Sequence, residues 1–180
     1  MCIRDRIKIT ENRESYNFEG DISNQTSEID LNKFSTFLNN NIKSIFKEEL
    51  TISSNNKFSF KLNKKIKFSD INILSKIKLE ELQYSNDIFK RFFPGYKKHI
   101  KFENNSITID YKNGDYEING KSKININGDV DNTNYSLKKI KKDFFYNFNF
   151  EPINAAVNFK ILNYTKNKDA KSSLELKGKY

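Results

Sequence analysis

Residues 107–130 read ITIDYKNGDYEINGKSKININGDV, and this stretch decides the fold of the chain. Apolar and polar side chains alternate on both sides of Asn113 and Gly114. A period of two places all the apolar side chains of a strand on one face of a sheet. Asn-Gly between two such runs is typical of a type I′ hairpin turn, which needs positive φ at both central residues. The stretch therefore predicts an antiparallel sheet with one apolar face and one solvated face.

Runs of the same kind recur roughly every 10–15 residues, which is the spacing of a long antiparallel meander. Their apolar positions are Ile7 and Ile9; Tyr16, Phe18 and Ile22; Leu50 and Ile52; Phe58, Phe60, Leu62, Ile66 and Phe68; Ile71, Ile73, Ile77 and Leu79; Tyr135 and Leu137; Phe144, Tyr146, Phe148 and Phe150; Val157, Phe159 and Ile161; Leu174 and Leu176. The parity of the alternation changes near Ser69 and Asp70. We expect a bulge or turn there, because a slip of one residue moves every side chain to the other face.

Two segments have helical rather than alternating spacing. The first begins after Asp30 and extends to about Asn40, with apolar residues at Leu31, Phe34, Phe37 and Leu38. The second follows Asn86, with apolar residues at Ile88, Phe89, Phe92 and Phe93, and is ended by Pro94 and Gly95. Three-to-four spacing after a capping residue predicts a short amphipathic helix in each segment. We expect the second helix to cross the apolar face of the sheet or its edge.

The composition is strongly basic, with a net charge of +9 over 180 residues and 31% charged residues. Such a charge suits nucleic acid when it is clustered on one stripe. The lysines instead occupy the polar positions of the predicted strands, and the abundance of Lys, Asn, Ile, Phe and Tyr together is typical of an A+T-rich coding sequence. The aromatic residues at 144–150 alternate with Asn rather than Arg, which favours burial over base stacking. We therefore expect no nucleic-acid partner.

The residues that usually carry metal or nucleophile chemistry are scarce. Cys2 is the one cysteine, so this chain alone can form neither a disulfide nor a Cys-based zinc site. His99 is the one histidine, and it follows two lysines, as surface histidines often do. No apolar run reaches the roughly 18 residues of a transmembrane helix.

The carboxylates form no arrangement that predicts catalysis. Glu48 and Glu49, and likewise Glu80 and Glu81, are adjacent, so in a strand their side chains point to opposite faces. Residues 129–132 read DVDN, but they lack the glycine and the distal glutamate of an EF-hand, so they predict a turn instead. No dinucleotide-binding, P-loop, zincin or nucleophile-elbow motif is present. We expect a protein that is not an enzyme and that has no metal and no cofactor.

The two ends of the chain suggest a fragment. Residues 1–6, MCIRDR, resemble a translated sequencing adapter, and residues 176–180 stop within a strand pattern. We therefore expect residues 1–6 to be an artefact and residues 7–180 to be an interior part of a longer protein.

Three segments together resemble AsmA-like proteins, and within these the DUF3971 (YhdP-type) branch. They are residues 58–79 (FSFKLNKKIKFSDINILSKIKL), residues 92–96 (FFPGY) and residues 107–124 (ITIDYKNGDYEINGKSKI). The resemblance covers about residues 15–180 and lies in overall texture and strand order. It implies an inner-membrane anchor followed by a long periplasmic β-sheet bent into a trough, a β-taco. In that family the trough is thought to carry phospholipid acyl chains from the inner to the outer membrane, and no catalytic residues come with it.

The residues themselves agree with a curved, groove-like sheet. Hydrophobic residues make up only 36% of the chain, which is too few for a thick two-layer core. We expect phospholipid acyl chains to cover the apolar face instead. The predicted lining residues are Ile107, Ile109, Tyr111, Tyr116, Ile118, Ile124, Ile126, Phe144, Phe148, Phe150, Phe159 and Ile161. The alternative is a structural or adhesive β-sandwich surface protein, in which two apolar faces meet and leave no groove.

Overall fold

The computed structural model describes residues 3–30, 49–97 and 99–180. The helix that the sequence predicts over residues 31–40 lies outside the described residues.

Within the described ranges, nine strands form one antiparallel sheet whose order follows the chain. They are β1 (Ile3–Glu11), β2 (Ser15–Asp30), β3 (Glu49–Asn63), β4 (Phe68–Tyr84), β5 (Ile100–Lys112), β6 (Asp115–Ile126), β7 (Asp129–Ile140), β8 (Asp143–Glu151) and β11 (Leu174–Lys179). The strands β9 (Val157–Phe159) and β10 (Tyr164–Lys166) pair in a separate hairpin. The edge strands β1 and β11 do not pair with each other, so the large sheet remains open. The predicted mainly β fold, a long antiparallel meander with short helices, is confirmed.

The predicted Asn-Gly hairpin turn joins β5 to β6. Asn113 has φ 50° and Gly114 has φ 96°, so both central residues adopt the positive φ that a type I′ turn requires. Asn127 and Gly128 repeat this conformation between β6 and β7, with φ 56° and 98°. These two tight turns fix the register of three consecutive strands.

The predicted change of parity near Asp70 is a β-bulge. The register between β3 and β4 shifts between Ser59 and Lys61, and Asp70 adopts φ 52°. An extra residue in a left-handed conformation is one of the known ways to form a bulge. It keeps the apolar side chains of β4 on the same face before and after the shift.

The prediction that β3 continues through Ile66 and Phe68 is wrong. Asn63 ends the strand, because its Oδ1 accepts hydrogen bonds from the backbone N–H of Lys65 and Lys67 at 2.9 and 3.0 Å. The Ile66 N–H donates to the backbone oxygen of Asn63 at 2.9 Å. Ile66 therefore lies in a turn with φ 59° and is 77% exposed. The side chain of one asparagine overrides an apolar alternation that ran on across the turn.

The second predicted helix is present as a 3₁₀ helix, Asp87–Arg91, whose N-cap is Asn86. The Asn86 Oδ1 accepts the Ile88 N–H at 2.9 Å. Phe93, just after the helix, packs its ring edge-on against Phe150 in β8, with 6.1 Å between the centroids. The helix thus places aromatic side chains on the apolar face, as the sequence predicts.

The prediction that Val157, Phe159 and Ile161 form a further strand of the meander is wrong. Strand β9 is only three residues long and leads into a second 3₁₀ helix, Lys160–Leu162. Pro152 follows β8 directly, is fully buried and cannot donate to a strand ladder. The chain leaves the sheet there and folds back over its apolar face.

Candidate functional site

One face of the large sheet is apolar over most of its width. Residues that pair directly across antiparallel strands project from the same face. Ile109 pairs with Ile118, and Tyr111 pairs with Tyr116. Leu137 links this face to the aromatic residues of β8, since it pairs with both Ile118 and Tyr146. All the predicted lining residues within β5 to β8 therefore share this face.

The same face continues across β2, β3 and β4, where the predicted lining set had no members. Phe18 pairs with Phe60, and their rings stack 4.7 Å apart at an angle of 13°. Phe58 and Phe68 extend this aromatic cluster, with ring centroids 6.1 and 5.4 Å from that of Phe60. The signal for them was their alternation in the sequence, but only the register shows that they share the face of Ile109.

The end of the face beside Ile100 and Ile126 is covered by the protein itself, and we call it the covered end. Its buried cluster consists of Phe93, Tyr96, Ile100, Ile124, Ile126, Phe150, Ala155 and Val157. Ile124, Ile126 and Phe150 were predicted to line a groove, but they lie under the segments around Phe93 and Val157. They are core residues, and this corrects their assignment as ligand contacts.

Phe159 and Ile161 do not lie on the large sheet either. Phe159 packs against Phe92 and Tyr164 beside the covered end, with ring centroids 5.1 and 6.3 Å away. Ile161 is 96% exposed in the turn between β9 and β10. Neither residue therefore lines the apolar face of the large sheet, and the prediction that they do is wrong.

The rest of the apolar face carries half-buried or exposed apolar side chains, and we call it the open part. From the predicted set it retains Ile107, Ile109, Tyr111, Tyr116, Ile118, Phe144 and Phe148. Phe148 is 37% exposed, and Phe68 at the far end is 60% exposed. Among the described residues, the elements packed on the sheet lie at the covered end. Within the described ranges, the open part is therefore backed by the sheet on one side and has no protein layer on the other.

Aromatic rings occupy the space above glycines on this face. A Cβ added at Gly120 would overlap the ring of Tyr135, and one at Gly178 would overlap the ring of Tyr146. Burial raises the pKa of Tyr135, because ionisation would place a charge against the apolar face. Because glycine has no side chain, the two tyrosine rings pack against the backbone at these positions. They form part of the apolar face.

A row of buried polar residues separates the covered end from the open part on β5 to β7. Asn105 Nδ2 donates to the Phe102 backbone oxygen at 2.9 Å, and Thr133 Oγ1 donates to that of Asn149 at 2.8 Å. Ser122 Oγ donates to the Lys123 backbone oxygen at 3.1 Å. These hydrogen bonds bind the side chains to the protein's own backbone. The row therefore presents few unsatisfied donors to anything that lies on the face.

The opposite face of the sheet is polar and carries pairs of opposite charge. Lys138 Nζ lies 3.0 Å from Glu117 Oε2, and Lys61 Nζ lies 2.6 Å from Asp70 Oδ2. A hydrogen bond from Asn119 and the neighbouring Lys138 together lower the pKa of Glu117. This is the solvated face that the alternation predicts.

Asp131 has a structural position that the sequence did not reveal. It lies in β7, not in the predicted turn, and only 4% of it is exposed. Its carboxylate accepts the backbone N–H groups of Ile153, Asn154 and Ala155 at 2.9, 2.7 and 2.8 Å. These bonds bind the segment after β8 to the sheet. The carboxylate and its partners are far apart in the sequence, which left no local signal.

Within the described ranges, no group of three or more His, Cys, Asp or Glu side chains is arranged to hold a metal ion. No helix in the same ranges is long and apolar enough to cross a membrane.

No family model, curated protein or solved structure matches this chain.

Proposed function

We propose that the open part of the apolar face binds phospholipid acyl chains, as one segment of a bridge-like carrier in the periplasm. The observation that supports this is a single-layer sheet with half-exposed Ile, Phe and Tyr side chains and no described layer over them. The resemblance to AsmA-like proteins supports the same function. In that reading the parent protein is anchored in the inner membrane, and parts beyond this chain reach the inner and outer membranes.

An acyl chain suits this face energetically. Each buried CH₂ group contributes about 0.8 kcal/mol, so a chain that is only partly covered still gains several kcal/mol. The attraction is proportional to buried apolar area and has no preferred direction. A chain can therefore slide along the rows of side chains without breaking a specific polar contact, as transport requires.

The alternative, a structural or adhesive β-sandwich, needs a second sheet over the open part. In the described part of the chain, the second sheet is the β9–β10 hairpin, and it lies at the covered end. A partner sheet would have to come from outside these residues. The described residues supply no second sheet for the open part, and this favours the carrier over a sandwich formed within them.

Native mass spectrometry of the purified chain tests the proposal. We expect phospholipid adducts on the wild-type chain and few on Ile109→Asp. An acyl chain that covered this position would have to desolvate the carboxylate, which costs free energy. Thr108→Asp is the matched control, since it places the same charge on the same strand but on the polar face, and it should keep the adducts. Circular dichroism would show that both variants keep the β-sheet.

The proposal is overturned if the wild-type chain carries no lipid, or if Ile109→Asp carries as much lipid as Thr108→Asp. A lipid-free dimer that Ile109→Asp dissociates would assign the open part to sheet-on-sheet packing and thus to the structural alternative.

A further inference from the structure

Two aliphatic side chains project from the tip of the β9–β10 hairpin. Ile161 is 96% exposed and Leu162 is 72% exposed. Asn163 closes the turn behind them with φ 48°, and its N–H donates to the Lys160 backbone oxygen at 3.1 Å. The turn thus leaves the two aliphatic side chains of its 3₁₀ helix exposed.

The root of this hairpin is firmly attached. Val157 is fully buried at the covered end. Lys166 is also buried, and its Nζ donates to the backbone oxygens of Ile153 and Ala155, each at 2.7 Å. The Asn158 N–H donates to the Phe92 backbone oxygen at 2.8 Å. The tip is therefore presented by an ordered support, so docking costs little additional conformational entropy.

A cleft of about 730 Å³ lies beside the tip and has apolar walls with a basic rim. Its apolar lining includes Ile88, Phe92, Phe159 and Ile161, and its basic residues are Lys90, Arg91 and Lys160. Asp87 offsets one of these charges, since its Oδ1 lies 2.8 Å from Lys90 Nζ. Three cations against one carboxylate leave this surface positive where it meets the exposed aliphatic side chains.

We propose that this hairpin tip docks on the surface of an anionic phospholipid bilayer. Ile161 and Leu162 enter the boundary between headgroups and acyl chains, while Arg91 and Lys160 face the lipid phosphates. Exposed aliphatic residues flanked by Lys and Arg are the pattern of interfacial membrane anchors, which combine apolar burial with electrostatic attraction. An anionic bilayer accounts for both features at once, since its acyl boundary receives the aliphatic tip and its phosphates lie level with the basic rim. The inference uses no residue of the open part and does not depend on the proposed carrier function.

A tryptophan at the tip tests the insertion directly, because the chain contains no tryptophan of its own. We expect the emission of Ile161→Trp to shift to the blue, and to be quenched by brominated acyl chains, when phosphatidylglycerol is included in phosphatidylcholine vesicles. The effect should decline as salt is added, since salt screens the basic rim. Asn119→Trp is the control, because it places the same side chain at an exposed position on the polar face of the large sheet, beside Glu117. Its emission should be the same with and without vesicles.

A second variant separates insertion from charge. Co-sedimentation of Ile161→Ser/Leu162→Ser with phosphatidylglycerol vesicles should fall roughly tenfold or more relative to the wild-type chain. An unchanged urea midpoint would show that the exposed substitutions leave the fold intact. The inference is overturned if Ile161→Trp emission does not respond to these vesicles, or if the double-serine variant sediments like the wild-type chain. Ile109→Asp should sediment like the wild-type chain. The docking of the hairpin tip can therefore be judged even if the carrier proposal fails.

Discussion

Removal of the Asp131 carboxylate should detach the segment that covers one end of the sheet. The two carboxylate oxygens accept three consecutive backbone N–H groups, those of Ile153, Asn154 and Ala155, at 2.7–2.9 Å. Asn154 Nδ2 also donates to Oδ1 at 3.1 Å. Asp131→Ala removes every one of these acceptors and supplies no replacement.

The magnitude follows from where the orphaned donors lie. Ile153 and Asn154 are exposed, so water replaces the carboxylate and only the net gain of each charged hydrogen bond is lost. Ala155 is 2% exposed, so its N–H is left without a partner. With about 1.5 kcal/mol for each of the first two bonds and up to about 3 kcal/mol for the last, the sum is roughly 3–6 kcal/mol. That is a large fraction of the 5–15 kcal/mol that typically stabilises a domain.

The assay is urea unfolding combined with hydrogen exchange of residues 152–166. We expect Asp131→Ala to lower the free energy of unfolding by this amount and to accelerate exchange in that segment first. Asp129→Ala is the matched control, because Asp129 lies in the same strand and faces the same side but pairs with the exposed Lys168 at 2.6 Å. A surface pair of this kind contributes about 1 kcal/mol or less. If the two variants lose the same stability, or if exchange in the segment is unchanged, the carboxylate does not hold the covered end.

Three further predictions concern single positions. Gly120→Ala should lower the free energy of unfolding by roughly 1 kcal/mol more in the wild-type chain than in a Tyr135→Ala background, because the new Cβ displaces the ring only where the ring is present. A double-mutant cycle by urea unfolding measures this difference, and equal losses in the two backgrounds would show that the ring does not lie on the glycine. Burial raises the pKa of Tyr135 above its ordinary 10.0, so the unfolded chain loses this proton first and stability falls as pH rises through about 10. The urea midpoint of Tyr135→Phe should therefore fall less than that of the wild-type chain across this pH range. The same dependence of midpoint on pH in both proteins would contradict the burial. Ile66→Gly should stabilise the chain by about 1 kcal/mol, since a β-branched residue at φ 59° is strained and its exposed side chain contributes little packing; a lower thermal midpoint would refute this.

The alternation of apolar residues predicted the sheet but not its cover. Ile109 and Ile126 have the same sequence signature, an isoleucine between polar neighbours in a strand. Ile126 is buried because Phe93 and Val157 come from outside its strand to pack on it, and no local pattern encodes that contact. The prediction for Ile66 failed for the opposite reason. The backbone N–H groups of Lys65 and Lys67 donate hydrogen bonds to Asn63 Oδ1, and this local turn outweighed an apolar pattern that suited a longer strand. Register, turns and the bulge depend on residues that are close in sequence. Burial of the apolar face depends on segments that are distant in sequence and pack on it.

This division also explains how a sheet stays folded when the described residues cover only one end of its apolar face. Each strand pairs with its neighbours, and the densest apolar packing is concentrated at the covered end around Ile100, Phe150 and Val157. In the open part, stacked rings such as Phe18 on Phe60 shield one another without a second layer. Stability is then supplied mainly by the covered end and less by the open part. A carboxylate at Ile109 therefore disturbs the apolar surface much more than the core, and loss of bound lipid in that variant reports on the face itself rather than on unfolding.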